Sequence, residues 1–301
     1  MSLNLTAEEA FYGFAPDLEP KGRVAQGEEF TLETFDCFGG QLECAADTLD
    51  TLDWSRTNPA TGPVYIEGTK PGDTLRINLH EVRATGQSVM CVIPGEGGLG
   101  HLIEEPETVI LKNTPDGVVF RDKITLPAKP MIGVIGVADA TRTIPNSTPD
   151  THGGNMDCTL IGEGAKLYLT VGVEGALFGC GDMHALMGDG EVLICGAETP
   201  GIVKASGEVV DTQAIPTPFV ETPEVFAAIA SAPTADEAQK MATDHMFKFL
   251  TEYAGISKND AATLMSLVGN LIFCQVVDPN ITVRFEFPRS VLEELGFGGI
   301  A

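Results

Sequence analysis

The sequence predicts a mainly β protein, a β-sandwich or barrel-like fold with a smaller α-helical element in its C-terminal third. Three observations carry this. Apolar and polar residues alternate with period two in several segments of the first two thirds, as half-buried strands require. The 34 glycines and 19 prolines supply the many turns that such a chain needs. Helical period enters only beyond residue 222, so strands come first and helices later, unlike an alternating parallel sheet.

The elements follow in order. Glu29–Phe35, Thr74–Ala84, Val118–Ile124 and Lys166–Val173 alternate. In the last of these, Leu167, Leu169, Val171 and Val173 fall on one face. Asp116-Gly117 signals a hairpin turn. Met131–Ala138 is apolar on both parities, which suits a strand covered on both sides. Glu191–Val210 reads as a meander broken at Thr199-Pro200-Gly201 and again at Ser206-Gly207. Thr234-Ala-Asp-Glu237 has capping-box form and opens a helix to about Ala254, with Met241, Met246, Phe249 and Leu250 on its apolar side. Gly255 is its stop, and Ser257 to Asp260 opens a second helix to about Leu271. Phe273–Val277 and Ile281–Phe287 return to strand, and a short helix follows Pro288. The chain is expected to form a single domain over 1–301, β-rich over 1–221, with a helical pair and returning strands over 222–301.

Acidic residues outnumber basic ones by 43 to 18, a formal charge of −25. Such a surface repels phosphate backbones and anionic membranes, which argues against nucleic-acid and membrane partners and favours neutral or cationic small molecules. Met131–Ala138 and Leu264–Cys274 are far shorter than the roughly 20 residues of a membrane span. The amino terminus lacks the basic and apolar regions of a secretory signal, so the expected location is cytoplasmic. The seven cysteines show no CxxC spacing and are expected to be free, buried thiols.

The informative stretch runs from His152 to Glu191. Its polar residues come in pairs two apart: Asn155 with Asp157, Asp182 with His184, and Asp189 with Glu191. Residues i and i+2 of an extended chain share a face, so each pair would present two ligands side by side. Brought together, four carboxylates and an imidazole repel unless a cation or shared protons compensate. One histidine among carboxylates suits a divalent metal, with zinc the usual hydrolytic choice. Asp and Gly also crowd into ordinary hairpins, so Gly188-Asp189-Gly190 alone is a turn signal.

The same residues carry a resemblance. Gly153-Gly-Asn-Met-Asp157, Leu167-Tyr-Leu, Val173 to Phe178, Gly181-Asp-Met-His184 and Gly188-Asp-Gly-Glu191 resemble the acetamidase/formamidase family. So, in order, do Asp36-Cys-Phe-Gly-Gly40, Gly62-Pro-Val-Tyr65, Pro71-Gly-Asp73 and Pro130 to Gly136. The resemblance implies hydrolysis of small linear amides such as formamide or acetamide to ammonia and a carboxylate. It also implies a mainly β fold, a divalent metal, and a cytoplasmic homodimer or higher homo-oligomer. Ala138–Asp150 lacks the Gly-rich look expected just before His152, which leaves the particular amide open.

For metal-assisted hydrolysis the expected ligands are Asp36, Asp157, Asp182 and His184, with Zn2+ as the ion. Glu191 is the expected general base, and Asp189 either exchanges roles with it or orients His184. Asn155 and backbone N–H groups near Gly153-Gly154 would stabilise the oxyanion, with His152 touching substrate or metal, or else lying in a loop. Two alternatives stay open. A cysteine-nucleophile amidase would use Cys37, Cys158 or Cys180. A non-catalytic β-sandwich binding module would hold Ca2+ in the carboxylates, and a structural Ca2+ is also compatible with the enzyme.

Overall fold

In a computed structural model of the chain, residues 2–210 and 215–300 are described. Two large sheets dominate. The nine-stranded one runs Leu3–Leu5, Glu29–Thr34, Gly201–Val210, Thr74–Ala84, Lys166–Thr170, Phe219–Glu221, Val225–Ala232, Ile281–Pro288 and Asn270–Gln275. The eleven-stranded one is centred on Phe178–His184, flanked by Met131–Gly136 on one side and by Glu198–Thr199 and Ala60–Ile66 on the other. All but a few of these pairings are antiparallel, so one face of each sheet is free to pack and alternation decides which.

One apolar cluster lies between the sheets. Phe30, Leu32, Leu75, Ile77, Leu167, Leu169 and Val203 meet Ile132, Ile135, Phe178, Cys180 and Met183 in it, all buried. Each large aliphatic side chain there contributes about 1.5–3 kcal/mol by leaving water. Tyr168, of opposite parity to Leu167 and Leu169, faces a second cluster beneath the helices. Met131–Gly136 is buried at every position, as its run of apolar residues predicts.

The helical layer covers the C-terminal strands. Ala235–Lys248 starts at Thr234, whose Oγ1 accepts from Glu237 N and donates to Glu237 Oε2. It buries Ala238, Ala242 and Met246, then continues through a π-helical turn, Phe249–Tyr253, that drives Phe249 and Leu250 onto Phe226 and its neighbours. The second helix, Lys258–Val268, is shorter than the expected run to Leu271. Leu271 instead sits in the edge strand Asn270–Gln275, where pairing with Ile281–Pro288 outcompetes one more helical turn.

Two further boundaries differ from the periodicity. Val118–Ile124 is two strands, Gly117–Phe120 and Ile124–Leu126, because Arg121 and Asp122 turn the chain through left-handed backbone. Ser206-Gly207 does not break Gly201–Val210, which pairs along its length with Thr74–Ala84. Gly207 is a packing glycine: a Cβ there would stand 2.6 Å from Ile66 Cδ1. No described helix is long and apolar enough to cross a membrane.

Candidate active site

The centre of the larger sheet carries the polar residues. Asp182 and His184 lie on Phe178–His184, and the neighbouring strand sets Glu198 directly opposite His184. Asp157 follows the strand Gly153–Asn155, whose partner is Met131–Gly136. Glu191 comes in on the Gly188–Gly190 turn. His184 Nε2 lies 3.0 Å from Glu198 Oε1, 3.5 Å from Asp182 Oδ1 and 3.7 Å from Asp157 Oδ1. Ligand atoms of Asp157, His184 and Glu191 fall within 4.8 Å of one another, and so do those of Cys37, Asp182 and Glu198.

The local backbone is unusual. Asp157, Asp182 and Glu191 have φ of +46°, +51° and +42°, left-handed values that cost a non-glycine residue roughly 1–2 kcal/mol each. Such outliers cluster where function fixes a side chain against local preference. Glycine makes the convergence possible at Gly133, where a Cβ would stand 2.4 Å from Asp157 Oδ1 and 3.0 Å from Asp182 Oδ2. At Gly196 a Cβ would meet His184 Nδ1 at 2.6 Å.

These groups are buried and under-satisfied. Asp157 Oδ1 and Oδ2, Asp182 Oδ1, Glu191 Oε2, Glu198 Oε2 and both His184 nitrogens find no hydrogen-bond partner among the described residues. Some bonds do exist: Asn58 Nδ2 donates to Asp182 Oδ2 (3.1 Å), Gly196 N to Glu198 Oε1 (2.8 Å) and Asn155 Nδ2 to Asp278 Oδ2 (3.0 Å). Burial raises Glu191 well above the usual carboxylate range, with Asp157's charge adding to it. Burial also lifts Asp157 to about 7 and Glu198 to about 8. For His184 burial acts downward, but the charges of Glu198 and Asp182 outweigh it and hold the imidazole well above its ordinary value. Asp182 is lowered: its burial is outweighed by His184 and Asn58.

The sequence pairs thus assemble in part. Asp157, Asp182, His184 and Glu191 converge, and Asp182 and Glu191 line a cavity together with Asn155, whose Oδ1 has no hydrogen-bond partner among the described residues. Three expected residues do not join. Asp36 turns back on its own loop, Oδ1 accepting from Phe38 N (2.9 Å) and Gly40 N (3.1 Å), and its neighbours Cys37 and Phe38 reach the cavity in its place. Asp189 is held by Arg284 through both carboxylate oxygens (2.7 and 2.8 Å) and by Thr159, so it is neither base nor partner of His184. His152 is buried edge-on to Phe14 (5.0 Å between ring centres) and does not line the cavity. Gly153 N is taken by Asp150 O, so it offers no oxyanion donor.

Glu198, Asp278 and Asn58 complete the cavity and are absent from the sequence reading. Glu198 carried a faint signal, a lone acid before a Thr-Pro turn, whereas Asp278 lies in a Val-Asp-Pro-Asn stretch like any polar turn. Of the candidate cysteines, Cys158 and Cys180 are core residues outside the cavity lining, although at Cys158 burial is outweighed by Cys274 and Arg284, which lower the thiol. Cys37, Cys91 and Cys195 do line the cavity but are pushed up by burial and by nearby carboxylates, which opposes thiolate formation.

Fold and site together define a two-sheet β protein with a buried carboxylate–histidine centre opening into a cavity. Comparison with known proteins places it further. The acetamidase/formamidase family model matches residues 3–146 and 101–294. A solved acetamidase from Bacillus halodurans superposes with a TM-score of 0.95 at 39% identity, covering 98% of this chain and 100% of that one. A predicted acetamidase/formamidase of Thermoanaerobacter tengcongensis gives 0.95 at 42% identity, covering 99% of each. The formamidase of Methylophilus methylotrophus is 26% identical over 244 residues, 60% of this chain and 59% of its own length. The chain therefore spans less than two thirds of the curated relatives that it matches. It belongs to the acetamidase/formamidase family.

Proposed function

We propose that this protein hydrolyses the C–N bond of small linear amides to ammonia and a carboxylate, assisted by a divalent cation in the carboxylate–histidine centre. One observation carries the reading: buried carboxylates crowd around a single imidazole, and seven of their polar atoms make no hydrogen bond among the described residues. Leaving them so costs about 1–3 kcal/mol per group, and more where the group is charged. A cation is the compensation that such a donor set fits, and its mix of nitrogen and carboxylate oxygen suits zinc. Asp157, Asp182 and His184 would hold it. When bound, the ion supplies a more acidic water and a polarised amide carbonyl.

The residues supply the rest. Glu191, with its pKa raised by burial, is suited to take a proton from the attacking water and return it to the leaving nitrogen as the C–N bond breaks. Asn155 has Nδ2 engaged by Asp278, which leaves Oδ1 to accept an N–H of the substrate amide and orient it. This replaces the oxyanion role expected of Asn155. The crowded carboxylates disfavour an anionic ligand and admit a neutral one. The relatives' names support the substrate class, and the reading includes a cytoplasmic location and a homodimer or higher homo-oligomer.

The test is ammonia release from short amides before and after chelation and Zn2+ add-back. Turnover should vanish with the chelator and return with metal, and His184→Ala should lose at least 100-fold while keeping its circular dichroism. Chelator-resistant turnover, or an active His184→Ala protein, would sink the metal-assisted mechanism.

A further inference from the structure

The cavity over the carboxylate–histidine centre has a mixed lining. Asn155, Asp182, Glu191, Glu198 and Asp278 supply acidic and amide groups, with Thr57, Asn58 and Ser147 beside them. Phe38, Ile93, Ile194 and Val277 with the thiols of Cys37, Cys91 and Cys195 supply an apolar part, which reaches the acidic centre at Cys37, close to Asp182 and Glu198. Trp54, 58% exposed, stands among the same lining residues where the cavity meets solvent.

The apolar part is built rather than incidental. Phe38, Cys91 and Cys195 belong to a buried cluster with Leu42, Leu52 and Val89, against which Ile93 and Ile194 pack. Two of its segments are stitched together: Cys91 N donates to Cys195 Sγ (3.2 Å), and Cys195 Sγ donates to Cys91 O (3.6 Å). A wall so held keeps its shape when no substrate is present.

Its size is informative. The cavity measures about 260 Å³. A water occupies about 30 Å³, so formamide, little larger than two waters, would fill about 60 Å³ and acetamide somewhat more. An ion and its water leave well over half of the space, and the carbon and sulfur atoms that bound much of it gain dispersion contacts from an apolar occupant.

We propose that this wall is an acyl subsite, and that the preferred substrates are primary amides bearing an apolar acyl group of several carbons, not formamide or acetamide. The inference rests on the amide-hydrolase reading above. The amide head faces the acidic and amide groups, with the acyl chain lying over Ile93, Ile194 and Val277 toward Trp54.

The experiment is kcat/KM for ammonia release by the zinc-loaded full chain across formamide, acetamide, propionamide, butyramide, isobutyramide and benzamide. Burial of each methylene should raise kcat/KM about fourfold up to butyramide. Ile93→Phe, which fills the subsite, should cut the butyramide-to-formamide ratio at least tenfold, with thermal melting confirming that the variant is folded. A wild-type kcat/KM that is highest for formamide and falls with chain length would overturn the subsite while leaving amide hydrolysis intact. A ratio unchanged in folded Ile93→Phe would overturn the assignment of this wall. No ammonia from any amide would overturn the hydrolytic reading, and the subsite with it.

Discussion

Three acidic residues held in left-handed backbone show how local preference gives way at this site. Asp and Asn adopt that region more readily than most residues, but Glu191 gains no such tolerance from its longer side chain. The i, i+2 spacing of Asp182 and His184 does bring their side chains together, though through a φ of +51° at Asp182 and not by regular alternation. His152 makes the opposite case. Its ring is buried, neither nitrogen has a hydrogen-bond partner among the described residues, and burial lowers its pKa to about 4. An unfolded chain would bind this proton near the ordinary 6.5, so the neutral buried form stabilises the fold above that pH and loses its advantage as pH falls toward about 4. The loss amounts to about 3 kcal/mol at most. Urea denaturation between about pH 7 and pH 4 should show a steep acid limb in wild type and a shallower one in His152→Leu. Equal slopes would refute this account of His152.

At the scale of elements, the turn that carries Glu191 is clamped from below. Arg284, on Ile281–Pro288, grips Asp189 with two short ion-pair bonds and Glu286 with a third, while Gly190 N donates to Cys274 O. Both partners of the Arg284–Asp189 pair lie outside the cavity lining, yet they fix the residue two positions before the proposed base. Asp189→Asn keeps one hydrogen bond but loses the bidentate charge pair. We expect kcat to fall about 10- to 100-fold with KM changed less than threefold, because the turn moves while the cavity walls stay. Equal loss in kcat and gain in KM would instead indicate general damage to the site. The pair also shows what spacing cannot reveal. The turn motif Gly188-Asp189-Gly190-Glu191 was legible, but which acid faces the cavity depends on an arginine 95 residues later. Glu198 and Asp278 escaped for a related reason, since cross-strand pairing and a distant turn bring them in. The strands themselves were legible wherever one face was buried, as at Leu167 and Leu169, and misleading where glycine served packing, as at Gly207.

At the scale of the whole molecule, the site is a liability that the fold must offset. The chain's formal charge is already −25, and four buried carboxylates with half-buried Asp278 concentrate part of it at one centre on the larger sheet. Without a cation the compensation open to them is protons. Burial places Asp157 near 7 and Glu198 near 8, above the ordinary values of 3.8 and 4.5, so the folded chain binds protons that the unfolded chain would release. A raised carboxylate pKa gives stability that is full at low pH and is lost as pH rises through the folded values. Chelated protein should therefore melt several degrees lower at about pH 8.5 than at about pH 6. On the proposed metal-assisted reading Zn2+ should reverse the trend, because its ligands must be deprotonated and proton competition weakens as pH rises. The metal-dependent gain in melting temperature should thus grow from about pH 6 to about pH 8.5. In Asp157→Asn with Glu198→Gln that pH dependence should flatten, along with the gain itself. A chelated wild type whose melting temperature rose steadily over the same interval would mean that these carboxylates are not where the protons go.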